Sequence, residues 1–197
     1  MEDKKMKKIV TVALSLLLLC SAVACSNKTN TNTNNETKDE VADKTYLNTY
    51  TGLYDKNLET LSDYNMYTDV NTVTNTYKEK EYPGNEKYLN DVKAAYKDSK
   101  EKIQAFVDGL KNDGKTEDAE LKKMNESLIA EGEKSIKDID AKIAKLDKIS
   151  KDDYNKTQDE FIKLVDDTVR AGENVTNNFV KMLKDMDTKL GITRKAK

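Results

Sequence analysis

Leu121, Met124, Leu128, Gly132, Ile136, Ile139, Ile143, Leu146 and Ile149 recur three and four residues apart, with Lys, Asp and Glu between them. That is the period of an α-helix with one apolar face, and a stripe so narrow must pack on other helices. The plan recurs in Tyr88, Val92, Tyr96, Ile103, Phe106 and Leu110. It recurs again in Tyr154, Phe161, Val165, Thr168, Gly172, Val175, Phe179, Met182, Met186 and Leu190. An earlier segment puts Tyr46, Leu47, Tyr50, Tyr54, Leu58 and Leu61 on one face, and Val70, Val73 and Tyr77 continue it. Residues 68–76 are crowded with Thr and Asn, mediocre helix formers, which leaves room for a break near residues 62–65. No segment reads as a strand.

Turn signals fall between the four segments. Tyr82-Pro83-Gly84-Asn85 closes the first and offers Asn85 as the next N-cap, and Asn112-Asp113-Gly114 closes the second. Ser150-Lys151-Asp152-Asp153 reads as a capping box with Asp in place of Glu, flanked by Ile149 and Tyr154 as a hydrophobic staple. Links this short make sequential helices antiparallel neighbours. The expected fold is therefore all-α: an elongated up-and-down antiparallel bundle of four long helices over residues 41–190, the first whole or broken, in rods of roughly 40 to 60 Å.

The amino terminus has a different character. Residues 1–8 carry Lys4, Lys5, Lys7 and Lys8, an apolar run covers residues 9–24, and Ala22-Val23-Ala24-Cys25 closes it. A charged start, a short apolar centre and small residues before a cut site make an export signal. The run falls short of the roughly 20 apolar residues that span a bilayer. Small residues directly before a cysteine resemble the lipobox of bacterial lipoproteins, although Ala22 stands where that family more often has Leu. The resemblance implies cleavage before Cys25 and diacylglycerol and fatty acid on that residue, and two signals anchor a protein stably where one chain does so marginally. An ordinary signal peptidase cutting the same bond, which leaves Cys25 as a free thiol, is the alternative.

Residues 25–40 supply the acylated cysteine and an Asn- and Thr-rich stretch with almost no apolar content. Such a stretch cannot offset the entropy of ordering it, so it reads as a disordered tether with a root-mean-square reach of roughly 20 Å. Residues 191–197 read as a short basic tail that frays.

Composition limits the chemistry. The chain has no His and two Cys, which removes His-ligated metal, Ser-His-Asp and Cys-His catalysis. Cys20 leaves with the signal, so lipidation of Cys25 leaves no thiol. Loss of residues 1–24 removes Lys4, Lys5, Lys7 and Lys8 with Glu2 and Asp3, and takes the formal charge from -2 to about -4. Mild acidity argues against nucleic acid as a partner. Asp152-Asp153 and Asp166-Asp167 lack the D-x-D-x-D-G loop of a calcium site, so no metal is expected. No phosphate loop or fixed carboxylate pair occurs, and no catalytic residue is assigned.

Three features invite a binding role. Gly132 and Gly172 interrupt strong helices at about 1 kcal/mol each relative to Ala, and a turn near residue 150 sets them nearly level. They mark either close helix approach or a core cavity for a small apolar or lipidic molecule. Arg170, the one arginine assigned to the folded part, sits near Gly172 and within reach of Asp166 and Glu173 for an ion pair along the helix. Tyr46, Tyr50 and Tyr54, with Asn57 in the same row, either stack on a sugar or partner protein or line the edge of the core with hydroxyls reaching water.

The Tyr- and Asn-marked first helix, followed by long charged helices, looks like the YiiG-like group of uncharacterised helical lipoproteins over about residues 40–190; no catalytic residue comes with that likeness. Abundant Lys and Asn beside almost no Arg fits an AT-rich genome and a Gram-positive surface, with a periplasmic leaflet as the Gram-negative counterpart. The expected function is a non-enzymatic interaction protein, lipid-anchored outside the cytoplasmic membrane, whose partner is a protein or wall polymer, with a dimer open. A small-ligand carrier with a cavity near Gly132 and Gly172 is the second expectation.

Overall fold

The computed structural model describes residues 38–171 and 178–194, with side chains from Lys44 onward. The signal segment, Cys25, the start of the tether, Gly172 and residues 195–197 lie outside the described residues. The described residues form six α-helices: α1 (Lys38–Asn57), α2 (Val70–Glu79), α3 (Asn85–Asp113), α4 (Ala119–Leu146), α5 (Gln158–Arg170) and α6 (Phe179–Lys189). Two 3-10 helices, Glu59–Tyr67 and Lys151–Asn155, complete it, and the described residues contain no strand. The fold of the described residues is all-α, as the periodicity predicts.

The break in the first segment is real. The 3-10 helix covers the expected break at residues 62–65, while the Thr- and Asn-rich stretch that follows is helical in α2, which starts from Asp69, whose Oδ1 accepts from the Asn71 and Thr72 amides at 2.9 and 3.0 Å. Burial opposes ionisation of Asp69, but hydrogen bonds from Thr72, Asn71 and Thr68 outweigh it and hold the carboxyl below its usual range.

The fourth segment departs from the expectation of one long helix. Ser150 caps only the short 3-10 helix, accepting from the Asp152 amide. The true start of α5 is Thr157, which forms a full capping box with Glu160. At the far end Ala171 leaves helical geometry with ψ 120°, and the sequence beyond it runs Gly172-Glu173-Asn174-Val175-Thr176-Asn177-Asn178. Asn178, with φ -99° and ψ 8°, caps the start of α6, so the described residues hold two helices where one was expected. Asn85 departs too: Gly84, with φ 90°, takes the cap position of α3. The Asn85 side chain instead donates to the Tyr154 and Lys156 carbonyls at 3.0 and 2.7 Å.

Helices α3 and α4 pack side by side and antiparallel, with Lys93 to Asp147, Lys100 to Asp140 and Lys111 to Glu133 bridged in reverse order. These pairs are solvated and add little to stability. Burial of Phe106, Leu110, Leu128 and Ile139 along the seam carries the energy, at about 1.5 to 3 kcal/mol for each large apolar side chain. Helix α1 packs on α3, α6 on α4, and α5 touches α2, α3 and α4. Polar groups of α4 hold both sides of the α5–α6 connection. Lys145 Nζ donates to the Ala171 carbonyl at 2.6 Å, and Glu131 Oε2 accepts from the Asn178 amide at 2.8 Å. Each charge sits at the helix end whose dipole it complements.

Candidate functional site: the covered tyrosine row

The inward face of α1 carries Tyr46, Tyr50 and Tyr54, and all three are buried. Tyr46 and Tyr50 stack with ring centres 6.4 Å apart, and Phe106 of α3 meets Tyr50 edge-on at 6.0 Å. The row therefore offers no ring to a sugar or partner in this conformation. The Tyr46 and Tyr50 hydroxyls do not reach water either. Tyr46 donates to Asn125 Oδ1 at 3.0 Å, and the Asn125 amide passes the chain on to the Gly114 carbonyl at 3.2 Å. Tyr50 donates to Asp187 Oδ1 at 2.9 Å. Asn57 is buried as well and spends its amide on the Leu53 carbonyl at 2.8 Å, near the end of α1.

These side chains are poor acid–base groups. Burial pushes the Tyr46 hydroxyl far above its ordinary value of 10.0, and burial together with the neighbouring Asp187 carboxylate pushes Tyr50 further. Both stay neutral at any physiological pH.

Arg194 covers the end of the row, and this is what the sequence reading missed by placing it in a fraying tail. After α6 the chain turns at Gly191, φ 68°, where the Ile192 amide bonds back to the Asp187 carbonyl at 2.8 Å. This is a glycine-centred helix stop followed by an apolar residue, a pattern that Leu190-Gly191-Ile192 displays in the sequence. The turn sends residues 192–194 back along α6. Arg194 Nε and Nη2 then meet Asp187 Oδ2 and Oδ1 at 2.8 and 3.0 Å, and Nη1 meets Asp55 Oδ1 at 3.2 Å. The guanidinium carbon lies 3.2 Å from the centre of the Tyr54 ring and 5.7 Å from that of Tyr50. Burial opposes the charge on Arg194, but Asp187 outweighs it and makes the guanidinium hold its proton more firmly.

The other sequence candidates fall elsewhere. Gly132 is buried where α4 meets α3 and α6: a Cβ built on it lies 2.5 Å from Val107 Cγ2 and 3.2 Å from Phe179 Cε2. The glycine allows close helix approach, and Val107 and Phe179 fill the space beside it. Gly172 lies outside the described residues. Arg170 pairs with Asp166 four residues back at 2.7 Å, as the sequence spacing suggests, and its Nη2 reaches the Thr68 carbonyl at 3.4 Å. It thus joins α5 to the end of the first 3-10 helix, far from Gly132.

A small recess opens between α2, α3 and α5, lined by Tyr67, Asp69, Tyr88, Val92, Val165 and Asp166 among others. Its volume of about 20 Å³ has room for a single water and nothing larger. Beside it Tyr77, Tyr82 and Tyr88 pack edge to face and tilted, with ring centres 5.0 to 6.0 Å apart. Among the described residues no group of three or more His, Cys, Asp or Glu could hold a metal ion, and no helix is long and apolar enough to cross a membrane.

With this geometry set out, known proteins give no guide: no family model matches the chain, and neither curated proteins nor solved structures yield a match. The site is read from its own residues.

Proposed function

We propose that the protein is a bacterial lipoprotein, acylated on Cys25 and held at the outer face of the cytoplasmic membrane, that acts as a non-enzymatic helical binding module. In a Gram-negative cell the same anchor puts it on the periplasmic side. The observation that carries this reading is the order of the first 25 residues: clustered lysines, a short apolar run, then Ala22-Val23-Ala24-Cys25 and an abrupt change to polar sequence. The likeness of the Tyr- and Asn-marked first helix to YiiG-like lipoproteins belongs to the same reading.

The binding role draws on the helices. We read the antiparallel α3 and α4, with the broken first segment beside α3 and the broken fourth beside α4, as a four-position up-and-down bundle. Its solvated faces are charged, mixed in sign and suited to a protein or wall-polymer partner more than to nucleic acid. The buried tyrosines are locked neutral by their surroundings, which suits packing and recognition and not proton transfer. The carrier alternative draws no support from Gly132, whose neighbours already fill the space beside it.

Expression of the full chain and of C25A with labelled fatty acid tests the anchor. The full chain is expected to take up label and sediment with membranes, and C25A to do neither. An unlabelled, freely secreted full chain refutes it. Crosslinking on intact cells tests the binding role, and recovery of no specific protein or polymer by the anchored chain counts against it.

A further inference from the structure

The recess that holds Arg194 has the composition of a receptor for a guanidinium. One wall is the face of Tyr54, the floor is the Asp187 carboxylate, and Asp55 closes the rim. Both oxygens of Asp187 are engaged in the paired geometry that a planar fork of N–H donors makes and an ammonium cannot. The Tyr50 hydroxyl, on α1, also fixes Asp187 Oδ1, so the carboxylate is held in place by a group other than its guest. The guest, by contrast, comes from beyond the last helix, on a short return that follows Gly191. Walls supplied by α1 and α6 with a guest from the non-helical return after Gly191 form a site and its ligand more than a buried ion pair between two helices.

We propose that Tyr54, Asp187 and Asp55 form a guanidinium-binding site, that Arg194 occupies it in cis, and that an arginine side chain of a partner protein exchanges with it there. This deepens the reading as a binding module by naming the chemistry of the partner, and rests on that reading for the exchange step. Arg194 then acts as a self-ligand that keeps the end of the tyrosine row covered until an arginine from outside competes. Stacking on a desolvated ring and a charge-assisted fork favour the same guest, so selectivity for guanidinium over ammonium follows from both.

The test is chemical rescue. R194A is expected to lower the thermal midpoint, and methylguanidinium to restore at least half of the loss saturably, while equal methylammonium does not. In R194A/D187N the rescue is expected to disappear. An unchanged midpoint in R194A overturns the proposal, and so does equal rescue by both cations or none by either. A measurement on the wild type covers the case in which R194A does not fold. There the Arg194 Nε–H is expected to be protected from exchange with water and to lose that protection as argininamide is added. An Nε–H exchanging as fast as free arginine overturns the site, and one that argininamide leaves untouched overturns the exchange. Rescue can fail while the wild type still captures partners on cells, and can succeed while it captures none, so the two readings fail separately.

Discussion

At the scale of single residues, the side chains that matter are those whose surroundings leave them no freedom. Gly132 is one: the added methyl of G132A meets Val107, which is stiff and itself buried. G132A is expected to cost about 1 to 3 kcal/mol by overpacking. V107A in the same chain is expected to recover part of that, a coupling that denaturant melts of the two single variants and the double variant measure. Additive costs would show that the two side chains do not share the space. Spacing alone puts Tyr46, Tyr50 and Tyr54 on one face. Which way that face turns depends on acceptors at Asn125 and Asp187, far along the chain, and a tyrosine suits the core and its edge alike. The sequence carried no local signal for those partners. Arg194 was legible in part, because Leu190-Gly191-Ile192 marks a turn that returns the chain; its landing on Asp55 and Tyr54 was not.

At the scale of elements, caps decide where helices begin. The Thr157-x-x-Glu160 box is written plainly in the sequence and fixes α5 better than Ser150 could, since it satisfies donors at both of its ends. Propensity misplaces the break in the first segment, because the Thr- and Asn-rich residues 70–76 form part of α2 and the 3-10 helix lies before them. The two long helices, by contrast, were legible throughout, because each keeps its apolar period between two clear stops. Asp69 gives the quantitative test. D69A is expected to destabilise by about 1 kcal/mol at neutral pH through loss of the cap. The native carboxyl is held below its unfolded value, so its contribution is complete above about pH 4 and falls away as pH drops through the lower native value. Thermal melts of both chains across acid pH should therefore show the gap narrowing toward low pH. A gap constant down to the acid transition would show that the charge on Asp69 plays no part.

At the scale of the whole molecule, phenol ionisation reports on packing. Tyr46, Tyr50, Tyr82 and Tyr88 are all raised well beyond 10.0, chiefly by burial, and Tyr64 and Tyr67 are raised to about 12. A group raised in the folded state stabilises it fully below its unfolded value and loses that contribution as pH rises through the folded value. On the alkaline side, stability is thus expected to fall above about pH 10, with phenolate absorbance and helix content changing together. Phenolate appearing near pH 10 with the helices intact would mean the rings are open to water.

The hydrogen bonds also give the molecule two unlike poles. Tyr46, midway along α1, reaches the turn between α3 and α4 through Asn125, and the Lys189–Glu120 pair adds the end of α6. Asn85 ties the opposite pole, where α3 starts and α4 hands over to α5, about 40 Å away along α3. Under the proposed acylation of Cys25, the pole reached from α1 is the one nearer the bilayer and the Asn85 pole is the far one. The Asn85 rim, stapled and tyrosine-lined, is then the part that the proposed anchoring turns outward toward a neighbour.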